Sequence, residues 1–182
     1  MHILVEQIKD DSLKIDFEEK PGSFPVLSKM VQQGECRFSA PIKTSLTASR
    51  IGNMIEVKGK FNAEVRLTCS RCLNEYETTL KSHFNLTYVS QLPKEGEDAE
   101  QEEIEISAQE MGLIYFQGDE INLQDGIQEQ VVMAFPIRAL CRENCQGLCP
   151  TCGADLNQGE CGCQRKPAHD KFAVLKNLKL DE

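Results

Sequence analysis

The chain of 182 residues carries 20 Lys/Arg against 29 Asp/Glu, a net charge of −9, and 40% of its residues are hydrophobic. That length suits one ordinary domain with a small appendage and a real core. The acidic balance excludes a general binder of phosphate backbone, because nonspecific nucleic-acid affinity grows with the phosphates neutralised; any RNA contact must be local or made through another protein. No apolar run approaches membrane-spanning length. Residues 1–12 lack the basic start and apolar stretch of a secretory signal. A cytoplasmic, reducing compartment is therefore expected, where thiols persist as metal ligands rather than as disulfides.

In chain order, short strands are expected at Ile3–Ile8 and Leu13–Phe17. Ala40, Ile42, Thr44, Leu46 and Ala48 then alternate with more polar residues, the period of a half-buried strand, and Ile51-Gly52-Asn53 supplies turn chemistry. The odd positions from Ile55 through Val57, Gly59, Phe61, Ala63, Val65 and Leu67 to Cys69 form the clearest strand, with Gly59 expected at a bulge. The even positions Tyr76, Thr78, Leu80, Ser82, Phe84, Leu86 and Tyr88 form the next. Three consecutive strands with short connections predict an antiparallel meander. Parity places Cys69 on the apolar face, and the even register extended backward places Cys72 on the same side. The implied hairpin loop, Ser70-Arg71, is not a favoured primed-turn pair, and a metal gripping both thiols would explain it.

Residues 93–110 read as an acidic, solvated loop, with one lysine and seven carboxylates between 93 and 105. Gly112–Phe116 is expected as a strand. A helix follows near 122–135, opened by a capping box from Asn122 to Asp125, with Leu123, Ile127, Val131, Ala134 and Phe135 on one face and Pro136 ending it. Gly126 is unfavourable within it. Phe172, Leu175 and Leu178 predict a short C-terminal helix. The fold class is α+β, an antiparallel β-rich body with one main helix over residues 1–135. A Cys-rich, zinc-knuckle-like segment follows over 136–182.

Six of the nine cysteines fall between Cys141 and Cys163. Zinc accepts four thiolates tetrahedrally, and Cys-x-x-Cys lets one tight turn supply two of them. Cys149-Pro-Thr-Cys152-Gly153 has the composition of a zinc knuckle, which Cys161 and Cys163 can complete. A 23-residue Cys/Gly segment has almost no apolar core, so metal binding could supply its folding energy. With Cys36 read as a small buried hydrophobe, Cys69, Cys72, Cys141 and Cys145 remain, the number one further site needs. Two structural Zn²⁺ sites are expected, the second pinning the hairpin to the C-terminal segment. The alternatives are a single zinc drawn from a subset of these thiols, His169 in place of one thiolate, or an iron–sulfur cluster.

His2 and His83 read as surface residues, and no catalytic constellation or phosphate loop is visible. Arg165, Lys166, Lys171, Lys176 and Lys179 form a modest basic strip in the tail, open to two readings, phosphate contact or the solvated face of a helix.

Several of these stretches together resemble a known family. Cys69-Ser-Arg-Cys72-Leu73, Glu120-Ile-Asn-Leu123 leading to Ala134-Phe-Pro136, Cys145 through Asn157, Cys161-Gly-Cys163 and Phe172-Ala-Val-Leu175 are similar to the YceD family, large ribosomal RNA subunit accumulation proteins of bacteria and plastids. The likeness runs in order along residues 69–178. It implies a non-enzymatic role in 23S ribosomal RNA accumulation and large-subunit assembly, with precursor ribosomal RNA or a large-subunit ribosomal protein as partner and no membrane or small-molecule substrate. The gene of this family often neighbours that of a small large-subunit ribosomal protein, which points the same way. It brings no catalytic residues. Two other classes stand beside this reading, a protein-only zinc adaptor and a metal-assisted ribonuclease using Glu102 and Glu103 of the acidic stretch.

Overall fold

The computed structural model describes residues 1–8, 12–90 and 112–163. Its frame is a sheet in the order β2–β4–β5–β6–β7: β2 (Leu13–Glu19), β4 (Ile42–Ile51), β5 (Met54–Thr68), β6 (Glu75–Val89) and β7 (Leu113–Tyr115). The β5–β6 pair is antiparallel and unbroken from Met54↔Val89 to Thr68↔Glu75. The expected meander is therefore present as β4–β5–β6. At its far edge β7 instead runs parallel to β6, a pairing that the long intervening connection permits.

Along its other edge, β5 is shared. β4 pairs with it as far as Lys43↔Asn62, and β3 (Cys36–Phe38) resumes at Phe38↔Val65. Pro41 lies in the break and has no N–H to donate to a ladder. Residues Ile3–Ile8 form less strand than expected. β1 (His2–Leu4) pairs with β8 (Glu120–Asn122), and a 3-10 turn follows at Val5–Gln7.

Two helices cover one face of the sheet. α2 (Gln124–Met133) is the expected main helix, and α1 (Pro25–Gln32), opened by proline at its first position, adds a second. The expected capping box does not form. Asn122 is held in β8, and its Oδ1 accepts from Gln124 N at 2.9 Å, while Leu123 occupies the cap position. Gln128 of α2 is buried and its Oε1 accepts from Val26 N at 2.8 Å, satisfying one of the free N–H groups that open α1. Gly126 has a packing reason: a Cβ there would lie 2.8 Å from Leu86 Cδ1 and 2.9 Å from the Tyr88 hydroxyl. Helix α2 thus packs close against β6.

The core follows the strand parity. Ile42, Leu46, Ala48, Ile55, Val57, Phe61, Ala63, Val65, Leu80, Leu86 and Tyr88 are buried with Phe24, Leu27, Leu123, Ile127 and Val131 of the helical layer. Cys36 belongs to this core, and burial, helped by Glu35, pushes its thiol up. Gly59 is not at a bulge, since both of its ladders run through it without a shift, Leu46↔Gly59 and Gly59↔Phe84. Its missing side chain makes room for the Phe84 ring, into which a Cβ would project. The opposite face of the sheet is left uncovered by these helices.

The expected acidic loop near 93–110 and the C-terminal helix through Phe172, Leu175 and Leu178 lie outside the described residues, as do His169 and the basic strip. No helix among the described residues is long and apolar enough to cross a membrane.

Candidate metal centres

Eight cysteines come together in two groups of four. Cys69, Cys72, Cys141 and Cys145 have their sulfurs within 4.8 Å of one another, and so do Cys149, Cys152, Cys161 and Cys163. In the first group Cys69 Sγ lies 3.8 Å from Cys145 Sγ, and Cys72 Sγ lies 3.8 Å from Cys141 Sγ. These separations are far beyond a disulfide bond. They match the edge of a tetrahedron built on zinc–sulfur bonds of about 2.3 Å, which is about 3.8 Å. Either group could hold a metal ion.

The same turn presents the first two sulfurs of each group. In one, Cys69 N donates to Asn74 O at 2.9 Å and Leu73 N donates to Cys69 O at 2.9 Å. In the other, Cys149 N donates to Ala154 O at 2.8 Å and Gly153 N donates to Cys149 O at 2.8 Å. The two-residue loop expected at Ser70-Arg71 is accordingly replaced by a wider turn over residues 69–74. The strands stop at Thr68↔Glu75, and the chain curls so that backbone N–H groups face sulfur. Burial opposes ionisation of Cys69, but N–H groups from Cys72, Cys141 and Arg71 outweigh it and bring the thiol down to about 6. Those of Cys152 and Thr151 do the same for Cys149, also to about 6. Burial, reinforced by the neighbouring thiols of Cys145 and Cys69, pushes Cys141 up to about 12. The thiols of Cys152 and Cys161 push Cys163 up to about 12. Burial opposes ionisation of Cys145 as well, but the Asn157 amide and the Gly147 N–H outweigh it and lower the thiol. Each group thus sets at least one lowered thiol beside a raised one, a crowding of negative charge that a bound cation relieves.

The fifth residue of each turn needs a left-handed backbone. Gly153 meets this with φ 76°, but its counterpart is Leu73 at φ 60°, with its side chain 63% exposed. A leucine there pays about 1–2 kcal/mol in strain, partly offset by the greater chain entropy that glycine loses. Leu73→Gly is expected to raise stability by about 0.5–1 kcal/mol, read from the denaturant midpoint. A lowered midpoint would mean that the leucine side chain makes a contact worth more than its strain.

Polar contacts tie the turn at residues 69–74 to the C-terminal segment that carries the other cysteines of both groups. Arg71 donates to the carbonyls of Cys145 at 2.7 Å and Glu143 at 3.2 Å, and Ser70 N donates to Ala139 O at 2.8 Å. Gly147, at φ 74°, packs against the Arg71 backbone. Asn74 Nδ2 donates to Asp155 Oδ2 at 3.0 Å, and Asn157 N to Asp155 Oδ1 at 2.9 Å. The N–H and amide groups of Asn157 hold the Asp155 carboxyl below the usual carboxylate range. Asn157 Nδ2 also reaches Cys145 Sγ at 3.4 Å, while its Oδ1 accepts from Arg142 and Gln146 N. Such donors around a thiolate orient it and tune its charge. Sequence reading gave Asn74, Asp155 and Asn157 no role. Their one local signal is the Asp155-x-Asn157 spacing of an Asx turn. Of the histidines, His2 lies 3.4 Å from Glu120 across the β1–β8 pair, and His83 is exposed on the uncovered sheet face.

The sequence model of the family described as large ribosomal RNA subunit accumulation protein YceD matches residues 57–179, the hairpin, α2 and both thiol groups included. The chain belongs to the YceD family. A YceD relative from Arabidopsis thaliana, described as large ribosomal RNA subunit accumulation protein YCED homolog 1, chloroplastic, is 24% identical over 156 residues, 76% of this chain and 49% of its own. Uncharacterized protein ML1660 of Mycobacterium leprae (strain TN) is 27% identical over 119 residues, 65% of this chain and 51% of its own. The chain thus spans about half the length of the curated relatives it matches. No solved structure matches it.

Proposed function

We infer that this YceD chain is a non-enzymatic, cytoplasmic factor supporting 23S ribosomal RNA accumulation and large-subunit assembly, held in shape by two structural zinc ions. Precursor ribosomal RNA or a large-subunit ribosomal protein is its partner. The observation that carries this reading is that the family match runs through the hairpin tip and both four-thiol groups. Zinc suits an all-thiolate tetrahedral set. Cys69, Cys72, Cys141 and Cys145 would hold one ion, and Cys149, Cys152, Cys161 and Cys163 the other. Four protein ligands leave no position for water or substrate, which favours structure over turnover.

Exposed Met133 and Ile137, flanking Pro136, favour a second reading in which the chain docks a protein partner only. Fractionation of cell extract on a gradient tests the main reading. The protein is expected with large-subunit precursors, and its absence from them would defeat assembly. Cleavage of precursor RNA that disappears on mutating Glu102 and Glu103 would instead make it a ribonuclease.

A further inference from the structure

The sheet face left uncovered by α1 and α2 carries an unusual density of lysine for so acidic a chain. Strand parity turns Lys14 of β2, Lys43 of β4, Lys58 and Lys60 of β5 and Lys81 of β6 toward solvent, and all five are exposed. They lie in register. Glu18, Lys43, Asn62 and Lys81 form one cross-strand row, and Asp16, Ser45, Lys60 and His83 form the next. At a strand spacing of roughly 4.8 Å, Lys43 and Lys81 stand about 10 Å apart with Lys60 beside their midline. Two adjoining depressions of about 350 and 480 Å³ share Ser45, Lys60 and His83.

Like charges so placed repel one another and cost stability unless something else uses them. Glu18 lies 3.8 Å from Lys43, and Glu56 lies 2.7 Å from Lys58. Among the described residues Lys14, Lys60 and Lys81 have no carboxylate at ion-pair distance. Between the lysines, Ser45, Thr47, Asn62 and Asn85 offer neutral hydrogen bonds, and Asp16 brings one carboxylate to the depression that Lys14 and Lys60 line.

We propose that this face binds the phosphate backbone of structured RNA, with Lys43, Lys60 and Lys81 as its central contacts. The proposal rests on the assembly reading only for its choice of RNA among polyanions. Two features of the face decide the partner's chemistry. A protein interface is built on buried aromatic and apolar anchors, and this tract presents none. Recognition of unpaired bases stacks them on aromatic side chains, and the one exposed ring among these lysines, the His83 imidazole, has no exposed aromatic neighbour to extend it into a stacking platform. What remains, five ammonium groups that outnumber the carboxylates of Asp16, Glu18 and Glu56 and alternate with hydroxyls and amides, suits phosphate and sugar contacts along a duplex, which position without reading sequence. The contact is local, as the net charge requires.

The test is anisotropy of a labelled RNA hairpin titrated with the full metal-loaded chain at several salt concentrations. The comparison variants are K43A/K60A/K81A and K43R/K60R/K81R, with circular dichroism and metal content checked for each. The wild type is expected to bind with an affinity that falls with salt. The alanine variant should bind about tenfold or more weakly, with a salt slope reduced by about two to three. The arginine variant should bind like the wild type. No binding by the wild type would overturn the proposal, as would an alanine variant of unchanged affinity and slope. Wild-type binding to a polyglutamate peptide as tight as to RNA would also overturn it, by making the face a site for acidic protein. Gradient fractionation is scored separately: a chain that co-fractionates with large-subunit precursors while its alanine variant binds the hairpin unchanged keeps the assembly reading and loses this face.

Discussion

Replacing Cys145 with serine is expected to lower the metal content from about two ions per chain to about one, and to free the C-terminal segment from the hairpin tip. Cys145 is 3% exposed, lies 3.8 Å from Cys69 Sγ and accepts from the Asn157 amide. Its loss removes one of four donors from a site whose ligands come from two separate stretches of chain. A structural zinc contributes apparent binding energies of about 10–16 kcal/mol in small peptides, so a site left with three thiolates forfeits on the order of several kcal/mol. Few other links would hold the tip to residues 139–148 among the described residues. They are chiefly Ser70 N to Ala139 O, Leu148 N to Arg71 O, and the Arg71 guanidinium on the Cys145 carbonyl. The other site should survive, because Cys149 through Cys163 carries its own turn and all four of its thiols. Elemental analysis with limited proteolysis reads the outcome. Retention of two ions by Cys145→Ser, or loss of both, would remove the two-site arrangement.

Gly59→Ala is expected to cost about 1–3 kcal/mol, the usual range for overpacking a close-fitted core. Gly59 faces Phe84 across the β5–β6 ladder, and an added methyl group would enter the ring's space. The neighbouring strands leave it little room to shift, since Leu46 pairs with Gly59 from the other side and Phe84 is 7% exposed. A second substitution separates this from any backbone preference. Phe84→Leu should cost stability alone, and in the double variant the penalty of Gly59→Ala should largely vanish. Denaturant unfolding of the four proteins measures the coupling. Additive effects would place the cause in the backbone and not in the glycine–phenylalanine contact.

The β body was legible because its long strands keep period two for fifteen residues at a stretch, from Met54 to Thr68 and from Glu75 to Val89. Parity also assigned the buried face correctly. Gly59 shows the limit of that reading. A glycine in a strand signals either a bulge or a close approach, and only the position of Phe84, a residue 25 places away and on another strand, decides between them. The turn at residues 69–74 shows another. Alternation was carried through Cys69 and Cys72 as if they belonged to strands, whereas N–H groups aimed at sulfur override strand geometry there. Helix α1 is only eight residues long, too short for periodicity to stand out, although Pro25 at its first position was a usable sign. Spacing alone grouped Cys149 with Cys152 and Cys161 with Cys163. The partners of Cys69 and Cys72 came by elimination, and the Asn74–Asp155–Asn157 links could come only from three-dimensional proximity.

The two four-thiol groups differ in what they close. Cys72 and Cys141 are 69 residues apart, and Cys69 and Cys145 are 76 apart, while the other group spans a single short segment. Bringing distant residues together costs chain entropy that grows with the logarithm of the loop, and long-range closure is slow to find. The two centres should therefore mature in sequence. The local one can assemble as soon as its own turn forms, independent of the sheet. The long-range one must wait until the hairpin is built and residue 145 has reached it, so its filling marks the moment when the body and its C-terminal segment become one object.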